Sequence, residues 1–333
     1  MIAVMKTSEK IIEYLKKHER VTGSELVNVL DITDRGVRKQ LNSLLENGIL
    51  KKEGTPPKVF YSLADKKIKQ KDFNISKTLI QTVEDNFFLI NPRGEKQEGL
   101  YAFVNWCNKR GFVIEKKAKE YSEILKKYKK YQKGGLISGM YKMKKTFKKV
   151  FLDEVYYLDF YSIEVFGKTR LGQMMLYAKQ SQNRNLIKKL TEEIEGKIKK
   201  LIKDKKIDAI GFVPPTVKRE VQFIKEIEKN LNLSLPKITL SKIKGEYVVP
   251  QKTLNKLDDR IENAKQIRLH AVGDVVNNQL PIYKNILLID DALGSGATIN
   301  EIARQIKNLN LSKKVTGLAI TGSFSGFEVI SEV

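Results

Sequence analysis

The chain has 333 residues but a single cysteine, Cys107, and only two histidines, His18 and His270. One cysteine excludes an internal disulfide framework and a cysteine-rich zinc site. Two isolated histidines leave little for a histidine-built metal centre or a catalytic triad. No apolar run reaches the roughly 20 residues that span a bilayer. The opening MIAVMKTSEKII lacks the hydrophobic region of a signal peptide. A cytoplasmic protein without a membrane partner is therefore expected. Acidic residues are scarce as well: 39 Asp and Glu face 62 Lys and Arg, a net charge of +23. Such a field favours polyanions, meaning nucleic acid, phosphorylated ligands or an anionic surface. The length allows two or three domains, each with its own core.

Part of the surplus is concentrated. Between Glu115 and Lys149 thirteen lysines stand against three carboxylates. Tyr121, Tyr128, Tyr131, Tyr141 and Phe147 interleave with them. The pattern suits backbone contacts with base stacking, and equally an amphipathic helix that packs its rings inward.

Residues 1–66 read as a helix-turn-helix with a wing. Ile11, Ile12 and Leu15 form one apolar stripe, and Thr22 and Glu25 have capping-box spacing. Val37, Leu41, Leu44 and Leu45 share one face of a third helix, which Gly48 would close. Arg35, Arg38, Lys39 and Asn42 lie on its other side. "ILKKEGTPPKVFYSL" reads as a hairpin. The segment resembles the winged helix-turn-helix family. That resemblance implies DNA binding, with Arg35, Arg38 and Lys39 in a major groove and Lys51, Lys52 and Lys58 on phosphates. A protein-interaction module is the alternative.

Residues 67–150 form a basic, mostly helical connecting region. "KKIKQKD" reads as a linker, "FFLINPRGEKQEG" as a strand and turn, and "LYAFVNWCNKR" and "AKEYSEILKKYKKY" as helices. "KGGLISG" reads as a flexible break. Trp106 and Cys107 are expected in the core, and no chemistry is assigned here. From 151 to 333 the pattern becomes α/β. Ile187, Leu190, Ile194, Ile198 and Leu201 mark a long amphipathic helix before the apolar strand "IDAIGFVPP". Val221, Ile224 and Ile227 mark another helix, and "PKITLSKI", "NILLID" and "KVTGLAITG" further strands, with a helix from Ile299. Strand–helix alternation implies a parallel sheet.

The strand "NILLID" runs into two adjacent carboxylates, Asp290 and Asp291, and then into Ala292-Leu293-Gly294-Ser295-Gly296-Ala297-Thr298. Gly294 and Gly296 let backbone N–H groups approach an anion at a helix start. Carboxylates beside a phosphate need their own partner, and sugar hydroxyls a few ångströms away supply it. A 5-phosphorylated ribose has both features. A Walker loop would carry lysine where Ala297 stands, and the Rossmann fingerprint places its glycines ahead of the acid.

This segment resembles the PRPP-binding motif of type I phosphoribosyltransferases, in which an apolar strand and two acids precede Thr-Thr-Gly-x-Thr. Gly294-Ser295 replaces the family's Thr-Thr. "GFVPPTVKRE" and the residues Gln251, Leu254, Arg260 and Asn263 are similar to segments of the ComF-type branch, associated with DNA uptake; "FGKTRLGQMMLYAKQSQN" is similar to the opening of its domain. The branch's cysteine-rich zinc element is missing, and the winged helix stands in its place.

The resemblance implies an α/β, parallel-sheet type I phosphoribosyltransferase fold preceded by an α+β winged helix-turn-helix domain. It places Asp290 and Asp291 on the ribose hydroxyls and residues 292–298 around the 5-phosphate. Thr216, Lys218 and Arg219 would meet the pyrophosphate, with Lys179 and Arg260 as weaker candidates. Mg²⁺ would arrive with PRPP, with no protein ligand assigned. Three functions stay open. One is a nucleic-acid-binding regulator or effector, on DNA or RNA, whose transferase-like domain binds PRPP or a nucleotide. The purine-operon repressors share that order of domains. The second is an active Mg-dependent transferase of 5-phosphoribosyl to a base. The third is an effector of a retron-like anti-phage system acting on nucleotides. The first is favoured, and a homo-oligomer is compatible with each.

Overall fold

The computed structural model describes residues 7–46, 49–63, 75–91, 94, 96–217, 219–243, 247, 249–270 and 282–324. Gly48, the linker "KKIKQKD" and Lys218 lie outside them. The chain forms two compact units, Met1–Asp72 and Phe73–Val333.

In the first unit α1 (Thr7–Lys17) precedes the short β1 (Val21–Thr22), α2 (Gly23–Leu30) and α3 (Asp34–Glu46). The hairpin β2 (Leu50–Thr55) and β3 (Lys58–Leu63) follows, and β1 joins it in the order β1-β3-β2. Thr22 and Glu25 make the anticipated capping box: Thr22 Oγ1 accepts from Glu25 N–H at 3.2 Å and Glu25 Oε2 from Thr22 N–H at 3.3 Å. Ile11, Leu15, Leu26, Val37, Leu41 and Leu44 fill the core, while Leu45 is half-buried. Each fully buried aliphatic side chain contributes about 2 kcal/mol of hydrophobic stabilisation.

The second unit opens with α4 (Lys77–Asn86), the hairpin β4 (Phe88–Ile90) and β5 (Lys96–Glu98), α5 (Gly99–Asn108) and α6 (Ile114–Lys129). Then come β6 (Gln132–Lys133), β7 (Leu136–Ser138), α7 (Met140–Thr146) and β8 (Glu154–Phe160). "KGGLISG" is thus no break: Gly134 and Gly135, at φ 59° and 85°, make the tight turn between β6 and β7. A small pair, β9 (Ser162–Ile163) and β10 (Gly167–Lys168), leads to α8 (Arg170–Ser181), capped by Thr169 Oγ1 on the Gly172 N–H at 3.0 Å. The long helix α9 (Arg184–Lys205) buries all five of its aliphatic marker residues. β11 (Ala209–Phe212), α10 (Phe223–Leu231), β12 (Lys237–Lys242), a 3-10 turn at Gln251–Thr253, α11 (Leu257–Ala264) and β13 (Ile267–His270) follow. Val221 is buried ahead of α10 rather than within it. β14 (Tyr283–Leu293), α12 (Ala297–Asn308) and β15 (Ser312–Gly322) complete the unit.

Eight strands form one sheet in the order β13-β12-β11-β14-β15-β8-β7-β6. The five from β12 to β8 are parallel; β13 at one edge and the β6–β7 hairpin at the other are antiparallel. Two apolar clusters flank this sheet. One holds residues of α4–α7 and α12, the other residues of α8, α9 and α10. The expected α/β class therefore holds, although the sheet is mixed. Trp106 and Cys107 are core, as expected, and so is Tyr121, packed among Phe87, Phe103 and Phe166. Tyr131 and Tyr141 stay exposed.

Candidate functional site

In the first unit α3 carries its apolar residues inward and leaves Arg35, Arg38, Lys39 and Asn42 exposed. Arg38 pairs with Asp34 one turn earlier at 2.9 Å. On the hairpin Lys52 and Lys58 are exposed, while Lys51 pairs with Glu53 at 3.3 Å. All six cations foreseen for nucleic acid thus lie on α3 and the β2–β3 hairpin.

In the second unit the chain turns from β11 to β12 on one side, and β14 lies against β11 on the other. α10 packs in one apolar cluster and α12 in the other. The strand order therefore reverses between β11 and β14, and a crevice outside their carboxyl ends is where open α/β sheets hold ligands. Phe212 aligns with Ile289, and Val213 N–H donates to Ile289 O at 2.9 Å. Asp290 and Asp291 come next on β14. The strand continues past both acids to Leu293, three residues beyond "NILLID", because it keeps pairing with β15 as far as Gly322.

The acids differ in surroundings. Asp291 meets the Lys179 ammonium of α8 at 2.5 Å. Asp290 Oδ1 accepts from the Asp291 N–H at 2.7 Å. Burial pushes the Asp290 carboxyl up to about 7, and the neighbouring Asp291 adds to the rise. The Asp291 N–H and the Lys179 ammonium oppose it. Arg219 donates its guanidinium to the Lys179 carbonyl oxygen. Gln182 Oε1 accepts from Val221 N–H at 3.1 Å, which pins the segment after β11 to the end of α8. Thr216 is half-buried on that segment. Four of the foreseen residues, Asp290, Asp291, Lys179 and Arg219, are thus brought together.

Arg260 comes from a different helix. It is buried on α11, where its Nε donates to Leu254 O at 2.6 Å and its carbonyl accepts from Gln251 Nε2 at 2.9 Å. Asn263 Nδ2 donates to Val249 O at 3.0 Å. The Gln251, Leu254, Arg260 and Asn263 pattern therefore ties one turn to α11.

The loop after the acids is a tight bend into α12. Gly294 N–H donates to Ala292 O at 3.1 Å, and Ser295 Oγ accepts from Ala297 N–H at 3.3 Å. Gly296 has φ 82°, and a Cβ there would stand 2.3 Å from Met143 Sδ. Helix α12 begins at Ala297, two residues before Ile299, and no side chain caps it. Ser295, Gly296 and Ala297 are buried, while Gly294 and Thr298 are half-exposed.

Sequence reading missed Lys142. It lies on α7, 7 % exposed, and donates to Leu293 O at 3.4 Å, Ser323 O at 3.2 Å and Ser323 Oγ at 2.9 Å. Burial pushes its ammonium down to about 8, and the positive charge of Arg260 adds to the fall. In sequence it is one of thirteen lysines in a basic stretch, and nothing local sets it apart. Asp159, at the carboxyl end of β8, was missed too. It borders a cavity of about 240 Å³ with Tyr121, Tyr128 and Phe166, and burial pushes its carboxyl up to about 6.

Residues 8–53 match the model of the DeoR-like helix-turn-helix domain. That match covers α1 to the early part of the hairpin and supports the winged helix-turn-helix reading of the first unit, with its implication of DNA-binding regulation. Among curated proteins none matches the chain. No helix among the described residues is long and apolar enough to cross a membrane.

Proposed function

We propose that this chain is a DNA-binding regulator whose α/β unit has a type I phosphoribosyltransferase-like fold and binds PRPP or a related 5-phosphorylated nucleotide. One observation supports the reading: two adjacent aspartates lie near the carboxyl end of β14, at the reversal of strand order, a few residues before a glycine turn that starts α12. Hydroxyl donors of a ribose satisfy carboxylates, and an anion is stabilised by helix N–H groups and the helix dipole. The two needs meet in one ligand.

In this reading Asp290 and Asp291 receive the ribose hydroxyls, and the 292–298 turn receives the 5-phosphate at its exposed positions, Gly294 and Thr298. Lys179 stands beside Asp291 for a pyrophosphate, with Arg219 on the Lys179 carbonyl, Thr216 on the same segment as Arg219 and Lys218 next to Arg219 in sequence. Among the described residues no group of three or more His, Cys, Asp and Glu side chains could hold a metal ion. In this reading Mg²⁺ arrives on the ligand's phosphates, where it neutralises their charge.

A second reading, transfer of 5-phosphoribosyl to a base, is favoured by the Lys179 ammonium set against Asp291. Departure of pyrophosphate from the ribose needs positive charge and positioning, with no nucleophilic side chain.

Calorimetry of the full chain against PRPP with Mg²⁺ tests the shared premise. Binding by the wild type that is lost in Asp290→Asn with Asp291→Asn is the expected result. An equal affinity in the double variant overturns it. A mobility-shift assay on DNA with and without PRPP then separates sensing from catalysis, and pyrophosphate release with a panel of bases measures the latter.

A further inference from the structure

We propose that Lys142 is a binding residue, the cation that balances the charge of a phosphate monoester seated on the turn from Gly294 to Thr298. This rests on the anion-binding half of the reading above and adds a residue to it.

The argument begins with partners. Lys117, Lys179 and Lys205 are each partly buried, and each meets a carboxylate oxygen: Glu120 at 2.7 Å, Asp291 at 2.5 Å and Glu154 at 2.7 Å. Lys142 is more deeply buried than these, yet among the described residues its three acceptors are uncharged, two backbone carbonyls and one hydroxyl. The charged group that acts on it is another cation, Arg260. Desolvating an ammonium is costly, and carbonyl dipoles offset it only in part. A fold that keeps such a group has an unmet demand for negative charge at that place.

Position supplies the candidate. Lys142 Nζ touches the carbonyl of Leu293, the residue directly before the turn. The next residue, Met143, packs its sulfur against Gly296, and Gly139 of the same segment packs against the Leu293 side chain. α7 therefore braces the turn, and the ammonium stands where the turn begins. Backbone N–H groups, the start of α12 and Lys142 all present positive charge there. The acids beside it already hold Lys179, so Lys142 is left for the anion.

A purely mechanical role, tying the ends of β14 and β15 together, makes the opposite forecast for stability. Calorimetry and thermal melts of the full chain with ribose 5-phosphate and inorganic phosphate separate the two. In Lys142→Met, which keeps the apolar stem, we expect roughly ten-fold or more weaker ribose 5-phosphate binding. Its melting temperature without ligand should match or exceed that of the wild type, and the stabilisation by phosphate should vanish. Lys142→Arg should retain most of the binding. Should Lys142→Met fail to fold, Lys142→Gln takes its place, because it still donates hydrogen bonds without charge.

An undiminished phosphate response in the neutral variant overturns the role of Lys142 and leaves the PRPP reading standing. A response lost in Lys142→Met but untouched by Asp290→Asn with Asp291→Asn upholds Lys142 and removes the ribose from the reading. A wild type that responds to no phosphate overturns both.

Discussion

The two units display positive charge in opposite ways. On α3 and the β2–β3 hairpin the cations stand in water, two of them held by local acids, Asp34 and Glu53. Around the β14 end they are desolvated, and their partners come from distant parts of the chain: Lys179 reaches Asp291, and Lys142 reaches Leu293 and Ser323. Exposed charge is inexpensive to place and acts at long range on a polyanion. Desolvated charge is costly and needs specific partners to hold it.

The largest effect that would break this contrast is expected on α3. Replacing Arg35, Arg38 and Lys39 together by Ala should weaken specific DNA binding by on the order of a hundred-fold, since base-edge contacts are worth about 1–3 kcal/mol each. A mobility-shift titration measures it, and an unchanged affinity would move the DNA face off α3. Next comes Gly296→Ala, which meets both a left-handed backbone and Met143. A loss of about 2–3 kcal/mol in urea unfolding is expected, with no change in DNA affinity.

Two gentler changes sharpen the picture. Because Asp290 titrates higher when folded, its contribution to stability is complete below the ordinary carboxylate range and disappears as pH rises to about 7. Asp290→Asn should therefore flatten the melting temperature between pH 4 and 7. Lys142 has the reverse sign: its folded value is lowered, so its contribution is present above the ordinary lysine range and is lost as pH falls toward 8. Lys142→Met should flatten that alkaline limb. Smaller still, Lys52→Ala with Lys58→Ala should lower DNA affinity several-fold and reduce the salt slope by about 2, one for each phosphate contact.

Much of the frame was legible because it depends on local periodicity. The capping box at Thr22, the stripe of α3, the amphipathic run of α9 and the apolar strands follow from spacing alone. So did the acid pair and its glycine turn, whose residue types are unusual together. The surroundings of the turn were not legible. Lys142 acquires its place from contacts 151 and 181 residues away in the chain, to Leu293 and Ser323. The segment "KGGLISG" misled because two glycines suggest looseness, whereas their positive φ angles build a hairpin against β8. The burial of Arg260 on α11, with its Nε on the Leu254 carbonyl, was not apparent from spacing either. Each of these depends on tertiary neighbours that spacing does not encode.

The same hairpin has a bearing on how copies of this protein could meet. It closes one flank of the five parallel strands, and β13 closes the other. The outermost strands span only two and four residues, so they offer few unpaired backbone groups to an incoming chain. Sheet-to-sheet addition, the simplest route by which open α/β layers stick to themselves, is thereby discouraged at both ends. Among the described residues the helical faces, rather than the sheet edges, are the broader surfaces of this unit.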